Sequence, residues 1–136
     1  MTEPVSPPSP TARVAIGTHS GVRVSEHFGY ATRFEIWEVA PTGSRLLETR
    51  LNKPACRSAT HQPGTRVGDE GHADELMEAS VASVSDCRAV VVAKIGECAL
   101  TRLDHLGILA FETEDPVDQT VRELAQFPGL FERHVA

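Results

Sequence analysis

The 136-residue chain predicts an α/β domain built on a mixed five-stranded sheet of strand order 3-2-1-4-5, flanked by helices. Three observations carry this. The apolar patterning runs β-β-β-α-β-α-β-α, with a hairpin signal between the second and third strands and two strand–helix–strand crossovers after them. Crossover units are right-handed, so they build a parallel half onto an antiparallel one. Each predicted strand is short and bounded by turn residues, with no internal repeat. The 40% hydrophobic content plus ten glycines falls in the ordinary globular range of roughly 45–50%, enough for one core at this length.

Each element follows from its residues. Met1 to Thr11 holds Pro4, Pro7, Pro8 and Pro10 with Ser6 and Ser9. Such a segment buries too little apolar area to offset its ordering entropy, so 1–11 is expected to be a disordered tail. The run Arg13-Val14-Ala15-Ile16-Gly17, closed by Thr18-His19-Ser20-Gly21, reads as a buried strand. Arg33 to Val39 is the second strand, with Phe34 and Ile36 set against Arg33, Glu35 and Glu38. Pro41-Thr42-Gly43-Ser44 turns it into Arg45–Leu51. From 52 to 71 there is no periodicity, which marks a long functional or mobile loop. Helical spacing of Ala73, Leu76 or Met77, Ser80 or Val81, and Val84 follows. Ala89 to Ala93 is the most strand-like run. Gly96 opens a helix whose buried face is expected to be Ala99, Leu100, Leu103 and Leu106, with Gly107 ending it in a left-handed conformation. Ile108 to Phe111 is the last strand. Asp115-Pro116 suggests an N-cap and a proline in the first helical position, ahead of a face of Val117, Val121, Leu124 and Ala125. If the first strand pairs with the fourth, the result is a ribonuclease-H-like arrangement.

Composition excludes several function classes. A net charge of -6 disfavours a phosphate-tracking nucleic-acid binder. No apolar run approaches the roughly 20 residues of a membrane span. The three cysteines, Cys56, Cys87 and Cys98, are odd in number and form no Cys-x-x-Cys. With no signal-peptide pattern, a reduced cytoplasm is the expected location.

The topology places chemistry at one sheet edge. His19 ends the first strand and His27 precedes the second. Cys56 and His61 follow the third, and Gly96 to Cys98 follow the fourth. Strand order reverses between strands one and four, and such switch points are where open α/β sheets bind ligands. Imidazoles and thiolates converging without paired carboxylates suggest iron–sulfur or another thiophilic metal. Cys56-x4-His61 is not a standard zinc spacing. His27 and Cys56 are the candidate metal ligands; Cys98, His19 and His61 are further candidate cofactor contacts. Cys98 would lie in the first turn of a helix, where the dipole favours negative charge. Against these stand bland readings: a loop histidine anchored by Phe28, an incidental thiol at Cys56, and a small helix-start residue at Cys98. Cys87 reads as a compact core hydrophobe, Trp37 as packing, and His105 as solvated. Arg23, Arg33 and Arg57 could face an anion or simply solvent. No catalytic residue is expected. A nuclease would need clustered carboxylates; Val14 to Gly17 supplies none, and Glu35 and Glu38 face different sides of their strand.

One ordered set of strings resembles the dinitrogenase iron–molybdenum cofactor biosynthesis family, meaning NifX-like proteins and the C-terminal domain of NifB. The strings are Arg13-Val14-Ala15-Ile16 leading to Ser20-Gly21, then Val24-x-x-His27-Phe28-Gly29-Tyr30-Ala31-x-x-Phe34-x-Ile36. Asp86-Cys87-Arg88-Ala89-Val90-Val91, Ile95-Gly96 and Leu103-x-x-x-Gly107-Ile108 complete it. The resemblance covers 12–127 and leaves 128–136 as a C-terminal extension. It implies the ribonuclease-H-like fold and a non-enzymatic carrier role in nitrogenase cofactor biosynthesis. The implied cargo is an iron–sulfur cluster, or the iron–molybdenum cofactor or its precursor. Implied partners are nitrogenase scaffold or assembly proteins, or apo-dinitrogenase, with no nucleic acid and no membrane. His27 matches the favoured cluster contact, and Cys56 matches a cysteine often found after strand three. Gly29 is expected to permit the backbone shape that aims His27 outward. The alternatives are a cluster-free regulatory or interaction module of the same fold, and a general iron–sulfur or metal carrier outside nitrogen fixation.

Overall fold

A computed structural model describes residues 10–52 and 77–132. The strands are β1 (Ala12–Gly17), β2 (Arg33–Val39), β3 (Arg45–Leu51), β4 (Ala89–Val92) and β5 (Leu109–Glu112). The helices are α1 (described over 77–83), α2 (Glu97–His105) and α3 (Val117–Ala125), with short 3-10 turns at Phe28–Tyr30 and Pro128–Leu130. The sheet runs β3-β2-β1-β4-β5, as expected from the element order. β1 pairs antiparallel with β2 and parallel with β4, so the antiparallel and parallel halves meet on β1. The expected loop over 52–71 lies outside the described residues apart from Asn52, as do Ala73 and Leu76 of the expected helix face.

Strand alternation divides the core into two layers. Ala15, Phe34, Ile36, Val90 and Val92 face α1 and α2, meeting Val81, Val84, Cys87, Ala99 and Leu103. Val14, Ile16, Val39, Ala89 and Val91 face α3, meeting Val117, Val121 and Leu124. The fully buried runs of β1 and β4 are what a central strand covered on both faces requires. Leu130 is also buried in the second layer, so the extension expected beyond 127 is tied to the domain over its described part.

Four local expectations change. Only Ala99 and Leu103 of α2 are buried, while Leu100 and Leu106 are exposed. The helix contacts the sheet along one narrow i, i+4 stripe, and Leu100 sits one residue, about 100°, around from it. β5 starts one residue late, because the Ile108 amide closes α2 by donating to the Leu103 carbonyl (2.9 Å). Gly107 (φ 73°) donates to Asp104 beside it, completing a Schellman cap. Pro116 is the N-cap of α3 rather than its first residue. The Val24 amide donates to the Asp115 carbonyl and the Val117 amide to that of Val22, holding Pro116 extended in a bridge with Arg23. Finally, Glu35 is only 5% exposed. It accepts from Trp37 Nε1 (3.2 Å) and lies 3.8 Å from Arg33 Nη2, so a charge that alternation placed in solvent is covered on the α3 side.

A charged staple closes the α1 side. Arg50 clasps both oxygens of Asp86 (2.8 Å each) and donates to the Ser83 carbonyl (2.7 Å), while Arg13 adds a third bond to Asp86 (2.8 Å). These bonds join β1, β3 and the end of α1. The Arg50 fork holds the Asp86 carboxyl well below its ordinary range, against the opposing effect of burial. The Asp86 contribution is therefore complete above the unfolded carboxylate pKa of about 3.9 and is lost as pH falls toward the depressed folded value. Asp86→Asn is expected to cost about 1 kcal/mol near pH 7, and less near pH 3. The small figure reflects an aspartate side chain that is 41% exposed. Urea unfolding of both proteins at the two pH values measures it; a gap that fails to narrow in acid would refute the assignment.

Candidate functional site

The loop between β1 and β2 is stitched onto the C-terminal ends of the central strands. Both Ser25 and Glu26 donate to the Gly17 carbonyl (3.1 and 3.2 Å). A Cβ on Gly17 would lie 2.9 Å from Val92 Cγ1 and 3.0 Å from Glu26 Cβ. Only glycine lets the loop cross the sheet that closely. Beyond β4, the Ala93 amide donates to the Glu26 carbonyl and the Phe28 amide to the Lys94 carbonyl, both at 2.8 Å, so His27 and Lys94 form a parallel bridge.

That bridge decides where His27 points. The segment runs extended beside β4, so neighbouring side chains alternate. Phe28 is fully buried against Phe34 (ring centroids 5.8 Å apart), and His27 is exposed. The next residues tighten into a 3-10 turn, and Tyr30 sets its ring edge-on to the His27 imidazole, 6.1 Å between centroids. Gly29 is not in the left-handed region. The expectation that its freedom aims His27 is corrected: the backbone pairing with Lys94 does so.

His19 is exposed two residues past β1; its amide donates to Ser25 Oγ, and its carbonyl accepts from Arg33 Nη1 (3.4 Å). Cys98 is exposed in the first turn of α2, four residues after Lys94, with Gly96 as N-cap. The structure thus brings His19, His27 and Cys98 to the edge where β1 and β4 end. Cys56 and His61 lie outside the described residues, and so does Arg57. Among the described residues, no three His, Cys, Asp or Glu side chains gather into a metal-holding group.

Cys87 is buried in the α1–α2 layer, 4% exposed, and burial pushes its thiol up to about 12. A thiol so far above neutrality is a poor nucleophile and a poor metal ligand. Brief maleimide treatment of native protein, followed by peptide mapping, is expected to label Cys98 and spare Cys87 until denaturant is added; equal labelling would contradict this packing.

One positioning residue, Glu112, carried no local sequence signal, and the partners of two arginines carried none either. Glu112 accepts the Ile95 amide (2.8 Å), fixing the path from β4 into α2. Arg23 donates to the Glu114 carbonyl (2.8 Å), and Arg33 pairs with Glu35 while holding the His19 carbonyl. Both arginines therefore have structural partners at this edge. Their contacts span up to 91 positions, beyond the reach of any local pattern. A groove of about 570 Å3 lined by Trp37, Pro41, Val121 and Ala125 lies at the opposite end of β2, away from these donors.

The fold is an α/β domain with a reversal of strand order on β1 and with an exposed imidazole and an exposed thiol at the C-terminal edge of its central strands. The chain belongs to the dinitrogenase iron-molybdenum cofactor family, which matches residues 10–126. It is similar to the FeMo cofactor biosynthesis protein NifB of Herbaspirillum seropedicae, 34% identical over 83% of this chain and 18% of that protein. It is also similar to NifB of Frankia alni, 34% identical over 90% of this chain and 22% of that protein. The chain thus spans about a fifth of the length of these relatives. In fold it resembles the crystal structure of PH0822 (TM-score 0.57, 18% identity), covering 84% of this chain and 88% of that one. A Methanocaldococcus jannaschii protein, mj0327, is similar too (TM-score 0.50, 14% identity), over 91% and 95% of the two chains. No helix among the described residues is long and apolar enough to cross a membrane.

Proposed function

We propose that this chain is a non-enzymatic carrier that binds an iron–sulfur cluster, or the iron–molybdenum cofactor or its precursor, during nitrogenase cofactor assembly. The observation that carries the reading is the exposed His27, held outward by the bridge to Lys94 beside the first turn of α2. His27 is the main contact, with Cys56 as its thiolate partner and Cys98, His19 and His61 as further contacts. Imidazole and thiolate donors suit iron. An imidazole ligand on an open edge also exchanges readily, which a carrier needs and an enclosed storage site does not. The family membership and the NifB relatives support the same reading. The exchange partners are the scaffold or assembly proteins and apo-dinitrogenase, in the reducing cytoplasm that such clusters require.

Anoxic reconstitution with ferrous iron and sulfide tests this, read by iron content and visible absorbance. Wild type is expected to take up a cluster, and a His27→Ala, Cys56→Ala, Cys98→Ala variant to lose nearly all of it while keeping its thermal midpoint. Undiminished uptake by the variant would sink the residue assignment. No uptake by wild type would favour the cluster-free interaction module instead.

A further inference from the structure

We infer that the free edge of β5 is the docking site for an extended, basic segment of a partner protein, which joins the sheet as an added strand. β5 ends the sheet order, and among the described residues nothing pairs with its outer side. Leu109 and Thr113 donate their amides to β4 carbonyls or the residue just before β4. The residues of opposite parity, Ala110 and Glu112, therefore direct their N–H and C=O groups away from β4, as parallel pairing requires. An unpaired edge of this kind is a ready template for strand addition.

Beside that edge a groove of about 340 Å3 opens between β5 and α3. Phe111, Leu124 and Phe127 give it an apolar floor and wall, with the two phenylalanine rings set edge-to-face at 5.8 Å. Phe127 is 41% exposed although it packs on Phe111, leaving an aromatic face open to a guest side chain. The groove lining includes Glu123 and no lysine or arginine, and the exposed Glu114 lies two residues past the strand; Glu112 also borders the groove, with one carboxylate oxygen held by the Ile95 amide. Arg23 donates to the Glu114 carbonyl, and Glu123 accepts a bond from the neutral Gln119. The complementary guest carries one bulky apolar side chain for the groove and Lys or Arg on either side of it. Backbone pairing gives it direction, the aromatic pocket gives it register, and the carboxylates reject acidic segments.

The inference concerns a surface separate from His27, and its test contains no cluster, so its failure would leave the carrier reading untouched. The full 15N-labelled chain is titrated with a seven-residue peptide of alternating lysine and valine around a central phenylalanine. A second peptide has glutamate in place of every lysine. Expected results are shifted signals and slowed amide exchange at Ala110 and Glu112, weaker binding as salt rises, and no response to the glutamate peptide. Phe127→Ala, or Glu123→Lys at the exposed rim, is expected to lower affinity about tenfold or more. Equal binding of both peptides, responses confined to other surfaces, or no binding at all would overturn the inference. So would protection of Ala110 and Glu112 in the peptide-free chain together with a dimer in sedimentation, since a second copy would then occupy the edge.

Discussion

Phe28→Ala is expected to destabilise the domain by about 3–5 kcal/mol, the usual range for emptying a fully buried aromatic site. Phe28 has no exposed surface and packs against Phe34 within the α1–α2 layer. The core cluster it belongs to draws on β2, β4 and both helices on that face, so the vacated volume cannot collapse by moving one side chain. The second consequence is functional. The Phe28 ring anchors the segment whose amide pairs with Lys94, and that pairing holds His27 outward. Under the carrier reading, cluster uptake should fall with the loss of anchoring even where the fold survives, whereas Phe28→Leu should recover much of both. Urea unfolding and anoxic iron loading measure the two effects. A cost near 1 kcal/mol, or full uptake by folded Phe28→Ala, would show that the anchor is dispensable.

Arg88→Ala is the second large effect, at about 2–4 kcal/mol. Its guanidinium donates to three carbonyls: Gly107 (2.6 Å), Gly129 (3.2 Å) and Leu130 (3.2 Å). One bond ties the end of α2, and the other two tie the 3-10 turn that delivers Leu130 to the α3-side core. Hydrogen bonds from a charged donor contribute roughly 1.5–3 kcal/mol each. Three on one group are not additive, and the side chain is only half-buried, so the total stays near the range of one or two. Losing them should release Leu130 as well as unsatisfy the carbonyls. Amide exchange should therefore quicken first at Leu130 and Phe131, whose turn amides are bonded to Phe127 and Pro128. Arg88→Lys should restore little, because a point charge cannot span three carbonyls. Unchanged exchange at Leu130 would disprove this clamp.

Neither effect could have been sized from sequence, and the difference between them is instructive. Phe28 was legible as an anchor because it sits between His27 and Gly29 ahead of an alternating strand. Arg88 reads only as a charge before an apolar run; its partners lie up to 42 positions away. The same division holds at the edge with His27. The placement of His19, His27 and Cys98 at one sheet edge followed from topology, since strand order dictates which loops share an edge. What aims His27 did not follow: a conformational argument about Gly29 pointed to the wrong cause, because a backbone bridge across 67 positions leaves no periodic trace. Leu100 and Leu106 misled for a related reason. Their spacing fits a broad apolar face, but how much of that face is covered depends on the angle at which α2 meets the sheet.

Local patterning alone determined the element order, the number of strands and the identity of the buried strands, while the reversal at β1 followed once the first strand was paired with the fourth. The first three are one-dimensional properties, set by periodicity, turn residues and the handedness of crossovers. Tertiary structure alone decided the burial of Glu35, the pairing of His27 with Lys94, the Arg50–Asp86–Arg13 staple and the groove between β5 and α3. These depend on distances between residues far apart in sequence, which no period encodes and which exist only once the two core layers have closed around the sheet.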